Sequence, residues 1–442
     1  MGVISTLSDK LVNFVANLGT DRDKASGTMY APASMTDEQL VNAYRGAWLP
    51  RKIVDVPALD ACRKWRNWQA SRPEIELIEA EEKRLGVKSK VLDAMIKARL
   101  FGGAAVYIGT GDRDTSLPLN PDVVAQGGIK YLTVMTRRKL SPTETEQDPD
   151  SPRYDRPKAY TLTGGQIQIH PSRLVEFIGA RHPDSDLVSG PDAGWGDSVL
   201  LAVMEAIKHA DATMANIASL VFEAKVDVIR IPDLMKNMDD PVYRKILLER
   251  LSLAATAKGI NGALMLDKEE EYETKSASFG TLPDILDRFL QVVSGAADIP
   301  ATRLLGQTPG GLNASGESDL RNYYDRVQAI QELEISPAMN LLDECLIRSS
   351  LGSRPKEIHY AWAPLWQVTS KERADIGKVT ADTIKVLADT KLWDGDALGK
   401  AATNLLVEQS VMPGIEDAVT EFGANLPHEE DPEPTTEDPA TT

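Results

Sequence analysis

The residues with the clearest chemical potential are in His170-Pro171-Ser172. An imidazole two positions from a hydroxyl is half of a phosphoesterase His-x-Ser/Thr arrangement. That chemistry needs two histidines, one as base and one as acid. The five histidines stand at 170, 182, 209, 359 and 428, and no second His-x-Ser/Thr occurs. His170 therefore reads as a structural residue at a strand end. No two histidines sit at metal-ligand spacing, and neither Cys62 nor Cys345 has a ligand-spaced partner. The Asp-bearing loop 184–197 lacks a glutamate that would complete a calcium ligand set, so it reads as solvated. Gly377-Lys378 and Gly399-Lys400 are not followed by Ser or Thr, which excludes a Walker A motif. Gly109-Thr110-Gly111 is not completed as a dinucleotide fingerprint. We expect no enzyme activity, no metal and no cofactor.

One segment has the opposite character. Gln307, Thr308, Pro309, Gly310, Gly311, Leu312, Asn313, Ala314, Ser315 and Gly316 form a glycine-rich loop, and the next helix opens on Glu317, Ser318 and Asp319. A phosphate-binding loop would add a lysine at a helix N-terminus. Here Leu304 to Leu320 contains no Lys or Arg, and acids occupy the helix start, where they satisfy the dipole and repel phosphate. Such a loop suits contact with a sliding polyanion. It also suits an ordinary linker, and composition leaves both readings open.

The whole chain is acidic, with a formal net charge of −17 over 442 residues. Binding to nucleic acid by counterion release needs clustered Lys and Arg, so a chain of this sign, if it handles DNA, should repel or guide it rather than hold it. A hydrophobic fraction of 42% suffices for a core, and two cysteines argue for a reducing compartment. No apolar run reaches the length of a membrane span.

The elements that must position these residues follow from local signals. Residues 5–18 read as an amphipathic arm with Leu7, Leu11, Phe14, Val15 and Leu18 on one stripe, and 20–35 as a linker. Thr36 and Gln39 form a capping-box signature for a helix to about Ala47, broken by Trp48-Leu49-Pro50. Helices are expected over 51–68, 74–85 and 89–101, then a strand over 104–108. The texture is β from 128 to 180, around an exposed loop at 139–157. A long helix is expected over 198–223, on the order of 39 Å at ~1.5 Å per residue. A strand–helix–strand insertion separates it from a second helix over 283–297. A long helix follows over 317–350, with a kink at Pro337, and 370–422 is mostly helical. The Pro-, Glu-, Asp- and Thr-rich tail 425–442 has the composition of disorder.

Three stretches resemble the portal proteins of tailed bacteriophages and prophages. They are Tyr44-Arg45-Gly46-Ala47-Trp48-Leu49-Pro50-Arg51-Lys52-Ile53-Val54-Asp55-Val56-Pro57, Ile169-His170-Pro171-Ser172-Arg173-Leu174, and the region from Ile299-Pro300-Ala301-Thr302-Arg303-Leu304-Leu305-Gly306 through Asn313 to Tyr324. The resemblance covers about 36–350. Some relatives join this body to a phosphodiesterase that degrades cyclic-nucleotide immune signals, a domain needing paired His-x-Thr motifs that this chain lacks.

The resemblance implies an α+β, mainly helical portal fold with a mixed α/β wing, a helical stem, a small α/β clip and a helical crown. Carried onto this chain, 1–35 is an N-terminal arm and 36–196 the first part of the wing. Residues 197–223 and 281–300 are the stem helices and 224–280 the clip. The tunnel loop is 301–316, the long wing helix and return strand 317–372, the crown 373–424 and the acidic tail 425–442. It further implies a ring, usually of twelve subunits, at one capsid vertex, assembled in the bacterial cytoplasm. The ring passes double-stranded DNA and docks the terminase large subunit, a head–tail adaptor, the major capsid protein and scaffold, with no membrane partner. Twelve copies carry roughly −200 formal charges, enough for an acidic channel wall. In the clip, Lys225, Arg230, Lys236, Arg244, Lys245 and Arg250 are candidates for terminase or adaptor contact. The alternatives are another head–tail connector and a cyclic-nucleotide phosphodiesterase.

Overall fold

The fold was analysed in a computed structural model. It describes residues 34–183, 190–222, 225–231, 239–257, 271–276, 279–306, 316–366, 370–390, 392–408 and 411–412, with single positions at 415 and 419. The chain divides into two units, Met1–Ala363 and Pro364–Thr442.

The first unit opens with α1 (Asp37–Gly46), whose capping box is formed: the Thr36 side chain accepts from the Gln39 amide and Gln39 Oε1 from the Thr36 amide. The expected break at Trp48-Leu49-Pro50 is instead the start of α2 (Trp48–Arg63), because a proline in the first turn forfeits no helical hydrogen bond. Pro57 lies inside this helix. The helix ends five residues sooner than expected, and Arg66–Gln69 forms strand β1, with Arg66 and Trp68 buried. Then come α3 (Arg72–Leu85), capped by Ser71 and Glu74, and α4 (Val87–Phe101).

Strand β2 (Gly103–Gly109) is buried at every position. It is central in an antiparallel sheet between β3 (Tyr131–Thr136) and a later strand. The region expected as a loop over 139–157 contributes β4 (Leu140–Pro142), which pairs with β5 (Tyr160–Leu162), itself paired with β6 (Gln168–Ile169). Strand β7 (Leu174–Ile178) completes the first sheet in the order β3-β2-β7. Leu140, Tyr160, Ile169, Leu174 and Trp195 join the two sheets in one buried cluster.

Gly102 makes the helix-to-sheet turn possible. Its φ is 89°, and a Cβ there would lie 2.0 Å from the Gly196 carbonyl oxygen. Only glycine tolerates both conditions.

The long helix α5 (Val199–Phe222) is followed by β8 (Lys225–Arg230), α6 (Pro241–Ala257) and β9 (Glu271–Ser276), with β8 and β9 antiparallel. The strand expected at 263–266 lies outside the described residues. Helix α7 (Leu282–Ala297) packs against α5, and the short α8 (Ala301–Leu304) follows it.

The expected helix over 317–350 runs as α9 (Glu317–Ile330), a π-helical turn (Gln331–Ile335) and α10 (Ser336–Leu351), with right-handed helical backbone at both junctions. The irregularity expected at Pro337 is this widened turn, which ends just before the proline. Strand β10 (His359–Trp362) then pairs antiparallel with β1, with Arg66 opposite Trp362 and Trp68 opposite Tyr360.

The second unit contains α11 (Ser370–Thr390) and α12 (Gly395–Glu408), which pack together, with Thr380 of α11 buried. Among the described residues no helix is long and apolar enough to cross a membrane. Nor does any group of three or more His, Cys, Asp or Glu among them suit a metal ion.

Candidate functional site

The first candidate, His170, is a cap. Its Nδ1 lies 2.8 Å from Ser172 Oγ and accepts from the Ser172 amide at 3.2 Å, closing a turn over Pro171–Arg173. Ser172 Oγ in turn accepts from the Leu119 amide at 2.8 Å. Burial, reinforced by Arg153 and Arg173, lowers the imidazole pKa, which keeps Nδ1 an acceptor. The next residue, Arg173, is buried and bonds the Leu117 carbonyl and Asp112. All of this secures the turn between β6 and β7.

The second candidate is the glycine-rich segment. Residues 307–315, which include Gln307 through Ser315 of the expected pore lining, lie outside the described residues. Both ends are described. Gly306 has φ 74° and Gly316 φ 63°, left-handed conformations that suit glycine. Gly316 also starts α9, whose first turn carries Glu317 and Asp319.

These ends are held by groups the sequence did not single out. Arg303, just upstream, donates from Nε and Nη2 to the two carboxylate oxygens of Asp60, both at 2.9 Å. Tyr323, just downstream, donates its hydroxyl to Asp60 Oδ2 at 3.0 Å. Asp60 lies near the end of α2 with a side chain 1% exposed. Its hydrogen bonds hold the Arg303 guanidinium above its ordinary pKa, with burial opposing. Burial, then Asp60, pushes the Tyr323 phenol well above its ordinary range, so it remains a donor.

Further ties converge on the same helix. Lys52 Nζ donates to the Leu304 carbonyl at 2.8 Å. Arg63 stacks over the Tyr324 ring at 4.9 Å. Buried Gln331, in the π turn, donates to the Ala61 carbonyl at 2.7 Å. Outside α2, Ser294 Oγ donates to the Ile299 carbonyl at 2.5 Å and closes the end of α7. The first and third of the resembling stretches, far apart in sequence, thus meet at α2. The second packs elsewhere, at the β6–β7 turn. A pairing of Asp60 with Arg303 and Tyr323 has no local signature, and no reading of the sequence singled it out.

Of the six basic residues of the insertion, five lie on β8 or α6. Arg230, Arg244, Lys245 and Arg250 are exposed, Lys225 starts β8, and Lys236 lies outside the described residues. Among the described residues of the Asp-bearing loop, Asp192 pairs with Arg137 and Asp197 lies 3.6 Å from His182.

The class comes first from the fold. A chain in the solved structure titled "Neck of empty GTA particle computed with C6 symmetry", a gene transfer agent, superimposes with a TM-score of 0.50. The two are 16% identical over 88% of this chain and 98% of that one, a likeness of fold: α+β and mainly helical. Sequence then identifies the family. The profile described as "Phage portal protein" matches residues 38–386, and the chain belongs to the phage portal protein family. The protein named "Anti-CBASS protein Acb1" of Caulobacter sp. (strain RHG1) is 42% identical, over 98% of this chain and 72% of its own length. The protein of the same name from Sphingomonas paeninsulae is 36% identical over 99% of this chain and 72% of its own.

Proposed function

We propose that this protein forms the ring-shaped DNA conduit at one vertex of a tailed-phage capsid, serving genome packaging and ejection. The observation that carries this reading is the portal-family match over residues 38–386. In it, α5 and α7 form the stem, the β8–α6–β9 insertion the clip, and α11 and α12 belong to the crown. Within 301–316, residues 307–316 line the channel as the tunnel loop. The clip, with Arg230, Arg244, Lys245 and Arg250 exposed, meets the terminase large subunit and later a head–tail adaptor. The capsid shell and scaffold surround the wing, and assembly takes place in the host cytoplasm before incorporation into the virion.

Charge supports the reading. A channel without fixed positive charge at its narrowest loop lets a polyanion pass without capture, and an acidic wall keeps the duplex centred. Motor work is then not lost to sticking. ATP hydrolysis falls to a separate terminase, in keeping with the missing Walker motif.

The test is direct. Mass measurement of the purified particle and an image down its axis should show a closed ring with a hole wide enough for duplex DNA. Replacing Gly310 and Gly311 by alanine should reduce packaged DNA while rings still form. A monomer under all conditions defeats the proposal, and unchanged packaging defeats the loop assignment.

A further inference from the structure

We infer that Asp60 is the positioning residue of the glycine-rich segment: its single buried carboxylate clamps the chain just before the segment and just after it. The inference rests on the loop reading above only for its consequence in DNA passage; the clamp itself stands on geometry. Arg303 takes both oxygens side-on at 2.9 Å, and Tyr323 adds a third bond at 3.0 Å. A bidentate arginine needs two acceptor oxygens, which a carboxylate supplies and an amide does not. The charge is thus part of the fit. Asparagine would present an NH2 group to a donor already in place.

The arrangement differs from an ordinary structural ion pair in what it joins. Arg303 belongs to α8, which ends at Leu304, and Tyr323 belongs to α9, which begins at Glu317. Neither helix needs the other for its own hydrogen bonds. α8 has a single turn, and α9 begins at a left-handed glycine with no side-chain cap. α2 ties the two together, by Asp60, which Arg63 also faces at 3.5 Å, and by Lys52 to the Leu304 carbonyl, beside a direct ion pair between Arg326 of α9 and Asp298 just before α8. Downstream, Gln331 pins the π turn to the Ala61 carbonyl, one residue beyond Asp60. The end of α2 is therefore the seat on which both flanks of the segment rest. Neutralising the seat should release the flanks without melting the sheet behind them.

The experiment uses the full chain in its assembled form and compares Asp60→Asn and Tyr323→Phe with the parent protein. Hydrogen exchange is read at Ala301–Leu304, at Glu317–Ile330 and, as a remote control, at Gly103–Gly109. Loss of a charge-assisted buried bond should speed exchange at both flanks about tenfold or more in Asp60→Asn. In Tyr323→Phe the effect should fall on Glu317–Ile330 alone. The strand Gly103–Gly109 should keep its protection in both. Equal acceleration everywhere, or none at the flanks, overturns the clamp. If Asp60→Asn does not accumulate as folded protein, Tyr323→Phe decides alone by the same criterion.

Packaged DNA per particle separates this inference from the loop reading. Loosened flanks with reduced packaging support both. Loosened flanks with normal packaging support the clamp and overturn the tunnel-loop assignment.

Discussion

Replacing Arg66 by methionine should be among the most damaging single changes in the first unit. The guanidinium is fully buried, 2.7 Å from Glu82 and 2.5 Å from Asp343. The rings of Trp68 and Tyr360 flank it at 4.6 Å each. Methionine fills a similar volume but leaves two carboxylates without their cation. Breaking a buried pair from one side costs about 3–5 kcal/mol. At ~2.1 cal/mol/K of unfolding entropy per residue, a unit spanning Met1–Ala363 loses about 1.3 °C per kcal/mol, so Tm should fall by about 4–7 °C.

The loss should also depend on pH. Burial raises the Asp343 carboxyl to about 6 even though Arg66 opposes it. A carboxyl raised in the folded state adds stability below its unfolded value of 3.8, and that increment is lost as pH rises through the folded value. Without Arg66 the folded value climbs further and the window widens upward. The gap between parent and variant should therefore be larger at pH 7.5 than at pH 5. Thermal unfolding at fixed protein concentration measures it. The double variant Arg66→Met, Asp343→Leu should recover part of the loss, because it removes a buried charge as well. A Tm change below about 2 °C, or a gap that widens toward pH 5, would refute the reasoning.

Other expectations follow from the same contacts. Burial raises the Glu81 carboxyl, but Arg84 and Ser349 outweigh it and hold it below its ordinary value. Glu81→Gln should therefore cost about 1–3 kcal/mol above pH 4.5, and the difference should vanish as pH falls through the depressed value, as read by urea titration. Burial pushes the Cys62 and Cys345 thiols up to about 12, so a thiol reagent at pH 8 should label both about 10³-fold faster after unfolding than before. Gly102→Ala should cost at least about 2 kcal/mol and lower the yield of folded protein, since φ 89° and the Gly196 carbonyl both exclude a Cβ. His170→Ala should cost about 0.5–2 kcal/mol, the range of a lost cap, as measured by thermal melting.

Signals carried within a few residues were legible in the sequence alone. Thr36 with Gln39 marks the start of α1, Gly102 the end of α4, and Pro241 the start of α6, because caps and turns are local contests between backbone and side chain. The resembling stretches around 44–57 and 299–324 also sufficed to point to the portal family, and with it to an α+β, mainly helical fold. Contacts joining distant segments were another matter. β1 was read as the end of a helix because its partner β10 lies nearly three hundred residues away, and a four-residue strand has no periodicity of its own. The burial of Arg66 and the seat at Asp60 were equally silent. A charged or polar residue looks the same in sequence whether water or a buried counter-group satisfies it. Only the tertiary structure, by bringing Asp60 to Arg303 and Tyr323, decides which of the two it is.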